Sequence, residues 1–170
     1  MTADYTKLAV YDVNAFLWQK LQDAGLFDDN DYYVDSFGTN LTPIIPAQQI
    51  PEFNNLLPGK TYFVYDYDVK PTVESFWITE EVITYTLFSQ SYDKLNQIMN
   101  FMQDTFRRYD ETAKDIKIYL AESSPFDYHF LYTDRIVSPQ HFQNEGGFMM
   151  GEVDICISYA RRIDSGKRFL

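Results

Sequence analysis

Two histidines, one cysteine, two adjacent glutamates, an acidic run and a glycine pair are the residues whose types could do chemistry in this 170-residue chain. His129 and His141 are the acid–base candidates, because imidazole titrates near neutrality. Neither stands in an HxH or HExxH spacing. Alternation in "FDYHFLYTDRI" (126–136) sets His129 on the strand face opposite Phe126, Tyr128, Phe130 and Tyr132. His141 falls in "SPQHFQNEGG", which reads as a loop. Cys156 lies between Ile155 and Ile157. A nucleophilic thiol needs a helix N-terminus or a cationic neighbour to ionise it; no such group is local, so Cys156 reads as a small filler in a tight spot. Glu80 and Glu81 are consecutive strand residues and point to opposite faces, so they cannot form a carboxylate pair alone. "DDND" (28–31) has the carboxylate density of a calcium loop, but Tyr33 stands where such a loop needs glycine. It reads as a solvated turn.

Gly146 and Gly147 open the stretch "EGGFMMGEVDICISYARR" (145–162). A phosphate-cradling loop runs from a strand into a helix whose N-terminus holds the phosphate. Here the glycines run into a strand. Gly146, Gly147 and Gly151 therefore read as a bend, a bulge or a close approach of backbones.

The elements that must position these residues follow from periodicity. Residues 8–24 form a helix with Val13, Phe16, Leu17 and Leu21 on one stripe, and Gly25 is its C-terminal stop. Residues 38–58 hold Pro43, Pro46, Pro51 and Pro58, which exclude a regular helix or a central strand. Ile44, Ile45, Ile50, Phe53 and Leu56 in this long loop suggest that it packs on something. Residues 61–69 and 76–89 are aromatic and β-branched and make a hairpin with a wide loop. Trp77, Ile83, Tyr85 and Leu87 share one face of the second strand. Residues 92–109 form one helix, with Leu95, Ile98, Met99, Met102, Phe106 and Tyr109 as its stripe. Ser91 caps its start, and Arg107 and Arg108 sit in its last turn. "DETAKD" (110–115) is a polar turn, and "IKIYLA" (116–121) a short strand. From 149 onward Met149, Val153, Ile155, Ile157 and Tyr159 point one way, with Met150, Glu152, Asp154, Cys156 and Ser158 on a wet face. The basic tail at 163–170 is expected to fray. The expected fold is α+β, a single domain (1–170) with a mostly antiparallel mixed sheet and two main helices on one face, in the order α-β-β-α-β-β.

Net charge is -11. A nucleic-acid grip needs a dense field of Lys and Arg, and an anionic membrane attracts the same groups, so both partners are disfavoured. One cysteine cannot build a disulfide framework or a Cys-rich metal site within the chain. The opening "MTADYTKLAV" has no basic start followed by an apolar core, so no secretion signal is expected. The cluster Arg161, Arg162, Lys167 and Arg168 suits an acidic protein surface or a second copy of this chain.

The strand-to-helix run "WITEEVITYTLFSQSYDKLNQIMNFMQDTFRRYD" and the late "EGGFMMGEVDICISYARR", in this element order, resemble the tail terminator (tail completion) proteins of long-tailed bacteriophages. The resemblance spans residues 58 to 162. It implies a structural virion protein: a homo-hexameric ring that stops tail-tube polymerisation and joins the tail to the neck. DNA passes through the lumen without specific binding. The implied partners are further copies of the chain, the tail tube protein and neck or head-completion proteins. No catalytic residue, metal or cofactor is implied, and an acidic lumen would let DNA slide. Candidate assembly residues are Ile44, Ile45, Phe76, Trp77, Gly146, Gly147, Phe148, Arg161 and Arg162, since ring contacts use strand edges and long loops. Two other expectations stand beside this one. One is another neck component. The other is a small α+β hydrolase or ligand-binding domain, which would need a pocket holding His129, His141 or Cys156.

Overall fold

The computed structural model describes residues 7–34, 37–47, 59–70, 78–107, 109–121, 123–141 and 147–161. Helix α1 spans Ala9–Asp23, and its apolar stripe of Val10, Val13, Phe16, Leu17 and Leu21 is wholly buried. It stops at Gly25, whose φ of +71° only glycine adopts without strain. The Gly25 amide donates to the Gln22 carbonyl at 2.9 Å and the Leu26 amide to Leu21 at 3.0 Å. This is the paired C-terminal closure that satisfies otherwise orphaned carbonyls. The acidic run then folds as a single 3-10 turn, Asp29–Asp31. Asp28 caps it and Asp31 reaches back to the Asp28 amide, so two of the carboxylates serve the backbone.

Strands β1 (Tyr33–Val34) and β2 (Asn40–Leu41) pair as a small separate sheet. The main sheet holds β3 (Ile44–Pro46), β4 (Tyr62–Lys70), β5 (Thr79–Ser89), β6 (Phe126–His141) and β7 (Met149–Arg161), in the order β3-β4-β5-β7-β6. Only β3 and β4 run parallel; the other pairs are antiparallel. The expected α+β class with a mixed sheet therefore holds. The hairpin of β4 and β5 holds too, registered from Tyr62↔Phe88 to Lys70↔Glu80. The proline-rich segment is not wholly loop. Its Ile44–Pro46 piece is an edge strand, where proline can sit without costing a ladder bond.

Two helices replace the expected long one. Helix α2 spans Tyr92–Thr105, capped by Ser91, whose Oγ accepts from the Lys94 amide at 3.2 Å. Phe106 leaves helical geometry, and Arg107 lies beyond the helix end; Arg108 is outside the described residues. Helix α3 then runs Tyr109–Leu120, absorbing both the expected polar turn and the expected strand. Thr112, Ala113 and Ile116 are buried at helical spacing while Ile118 is 78 % exposed. A six-residue run with weak alternation cannot distinguish the two periods, and Glu, Ala and Lys around it favour helix.

All three helices pack on one face of the sheet. Their buried residues share a core with Phe63, Tyr65, Ile83, Tyr85, Leu87, Leu131, Val153, Ile155 and Ile157. Gly151 lets α2 come close, because a Cβ there would stand 2.6 Å from the Met99 sulfur. Ile45, Tyr62, Val64, Phe88 and Phe148 form a second cluster, with Ala47 and Met150 against it.

Strand β6 corrects two expectations. It continues to His141, so residues 138–141 are strand and not loop. Its register against β7 also shifts three times, between Tyr128 and Phe130, Thr133 and Arg135, and Val137 and Gln140. Each extra residue swaps the faces beyond it. Phe126 and Tyr128 lie with the core, but Phe130 pairs with Ser158 and Tyr132 with Cys156 on the opposite face.

Candidate functional site: the helix-free face of the sheet

Cross-strand register assembles the face that carries none of the three helices. One row runs Asp66, Thr84, Asp154, Arg135; the next on one side runs Val64, Thr86, Glu152, Val137, and on the other Asp68, Val82, Cys156, Tyr132. The carboxylates of Asp66, Asp68, Glu80, Glu152 and Asp154 thus fall on this face, with the Arg135 guanidinium among them. Asp66 and Asp68 are exposed. Arg135 approaches Asp154 at 3.8 Å and Glu152 at 4.0 Å, and one Asp154 oxygen is buried without a hydrogen-bond partner among the described residues. A groove of about 320 Å³ crosses β4 and β5, lined by Val64, Asp66, Asp68, Thr84, Thr86 and Phe88. The face is acidic, ridged and partly apolar. Among the described residues no group of three side chains is placed to hold a metal ion.

The wet side of β7 is drier than alternation suggests. Cys156 is 4 % exposed and Ser158 1 %. The bulge at His129 is the reason, since it turns Phe130 and Tyr132 onto this face beside them. Cys156 is the small buried residue it reads as in the sequence, and His129 is exposed at the bulge. His129 lies about three strand positions, roughly 10 Å, from the residue paired with Cys156, well beyond the reach of a nucleophile–base pair. His141 ends β6, and its side chain is outside the described residues.

The candidate assembly residues divide. Ile44 belongs to the helix-side core at 8 % exposure, and Ile45 and Phe148 lie in the second cluster at 9 % and 2 %. All three are already buried within one chain, so they offer little surface to another subunit. The structure brings Ile45 and Phe148 together around Tyr62, whose ring centroid lies 6.4 Å from that of Phe148. Gly147 is exposed with φ +69°, as the bend reading requires. Arg161 stacks over the Phe126 ring at 4.9 Å, about 40 Å along β7 from Phe148. Phe76, Trp77, Gly146 and Arg162 lie outside the described residues.

A second groove, about 500 Å³, lies between the end of α2 and the middle of β6. Arg107 and Arg135 line it together with Asp104 and Asp134, so its charges cancel.

Sequence reasoning missed a set of tyrosine bonds on the helix side. The Tyr128 hydroxyl donates to Asp12 at 2.8 Å, and Ser124 donates to the same oxygen at 2.5 Å. Tyr85 donates to Asn14 at 2.6 Å. These bonds tie α1 to the sheet. Burial pushes the Tyr85 and Tyr128 phenols well above the usual tyrosine range, and the Asp12 charge adds to the rise at Tyr128. Glu81 is 6 % exposed on the core face and accepts from the Tyr159 hydroxyl at 2.5 Å. The signal available was only that tyrosines stand at inward strand positions, since the partners are 71 to 116 residues away.

No protein-family model matches this chain, and no curated protein matches it.

Proposed function

We propose that this chain is a structural virion protein, a tail terminator subunit of a long-tailed bacteriophage, that assembles as a ring capping the tail tube and joining it to the neck. The reading rests on the resemblance of residues 58–162. The observation that supports it best is the one-sided layering of the fold. Three helices cover one face, and the other presents Asp66, Asp68, Glu152 and Asp154 against Arg135. A carboxylate-lined face turned toward a lumen repels phosphates at short range, so DNA passes without a grip. In this reading the chain is not an enzyme and needs no cofactor.

Among the described residues strand β6 pairs with β7 alone, so its sixteen residues stand at the edge of the described sheet. Its three register shifts and Pro139 blunt that edge against open-ended strand pairing. A closed ring therefore uses side chains around β6 rather than a continued ladder.

Purified protein mixed with assembled tail tubes tests the reading by negative-stain imaging and light scattering. Rings at tube ends, and tubes that stop growing, are the expected result. A protein that stays monomeric at high concentration and does not bind tubes would overturn it. Binding elsewhere in the neck would instead indicate another completion component.

A further inference from the structure

We propose that Glu81 and Tyr159 form a pH-sensitive latch at one end of the sheet, closed while Glu81 holds a proton and loosened when it ionises. The latch does not depend on ring assembly and follows from where the pair lies. Glu81 opposes Val69 of β4 and Ile157 of β7, on the same face as Ile83 and Tyr85. Its carboxyl is buried with Tyr159 as its hydrogen-bond partner among the described residues. Tyr159 packs edge-on against Phe126 at 4.9 Å and lies 6.0 Å from Tyr128, so the surroundings of the pair are aromatic and aliphatic. Such surroundings disfavour a carboxylate charge that one phenol must satisfy. The titratable groups around the pair are Tyr67 on β4, with Tyr65 of β4 and Tyr11 of α1 beyond it, Arg161 on β7, and Tyr128 on β6 with Asp12 of α1 behind it. Arg161 is stacked on Phe126.

Burial raises the Glu81 pKa, and the bond from Tyr159 offsets part of that rise. The sign follows from the proton count. When the sheet end opens, Glu81 returns to an ordinary value of about 4.3. Between that value and its raised value in the closed state, the closed form holds a proton that the open form has lost. Closure is thus fully stable below about 4.3 and weakens as pH rises through the folded value. The opening equilibrium grows with pH across that window, by at most tenfold per unit because one proton is involved, and then levels. This runs opposite to ordinary acid denaturation and is confined to one end of the sheet.

Amide hydrogen exchange of the full chain from pH 4.5 to 8, corrected for intrinsic exchange rates, reads the latch directly. Wild-type amides at 156–161 should lose protection as pH rises, by no more than tenfold per unit, before levelling. In Glu81→Gln, which keeps the shape and removes the titration, their protection should stay flat. Tyr159→Phe removes the donor to the carboxylate, so levelling should move to higher pH. If Glu81→Gln keeps the wild-type pH dependence, the effect belongs to the net charge of -11 and not to the latch, and the proposal fails. Wild-type protection that does not change with pH also overturns it, as does Tyr159→Phe levelling at lower pH.

Discussion

Gly151 is where the strand and helix layers meet most tightly, and alanine there should reveal it. A Cβ at 151 would stand 2.6 Å from the sulfur of Met99 and 3.2 Å from its terminal methyl, with the Val137 carbonyl oxygen at 3.5 Å. Met99 is 3 % exposed within the core, so its flexible end has little room to retreat. Overpacking of this kind costs about 1–3 kcal/mol. For a chain of this length that is a fall in Tm of about 2–12 °C. Met99→Ala alone leaves a cavity and costs about 2–5 kcal/mol. In the double variant the alanine methyl at 151 enters space that Met99 has left. Glycine in a strand carries an entropic cost of about 0.5–1 kcal/mol relative to alanine. Gly151→Ala should therefore be neutral or slightly stabilising when Met99 is already alanine. The assay is urea unfolding of wild type, both single variants and the double, read as a coupling energy. Equal costs for Gly151→Ala in both backgrounds would refute the close-approach argument, because the penalty would then not come from Met99.

Gly147→Val places a β-branched residue at φ +69°, although no atom blocks its Cβ. The strain should cost about 1–3 kcal/mol, seen as a lowered thermal midpoint, and should impair ring assembly under the proposed function. A Gly147→Val protein with unchanged midpoint and assembly would show that the bend is not required. Ser91→Ala removes the acceptor for the Lys94 amide and should cost about 1 kcal/mol by denaturant titration, whereas Ser91→Asp should retain most of the stability.

Much of the scaffold was legible because its signals are local. The stripe of α1, the stop at Gly25, the Ser91 cap and the alternation from Met149 to Tyr159 are each contained within one element. The helix α3 was missed because Ile116 opens a six-residue run that fits two periods, while Ala113 lies in a polar stretch that reads as a turn. The path of β6 past His129 was missed for a different reason. A bulge depends on how a strand pairs, so the sequence of β6 alone does not specify which of Phe126, Tyr128, Phe130 and Tyr132 share a face.

Hydrophobic periodicity and capping, both short-range, determined the class of fold, most element positions and the two-sided character of β7. Tertiary structure alone decided which polar groups meet. It set Asp66 and Asp154 in one row with Arg135, joined Tyr128 to Asp12 and enclosed Glu81 against Tyr159. These pairs span up to 116 residues and exist only once strand order and register are set, because a hydrogen bond depends on position in space and not on separation along the chain.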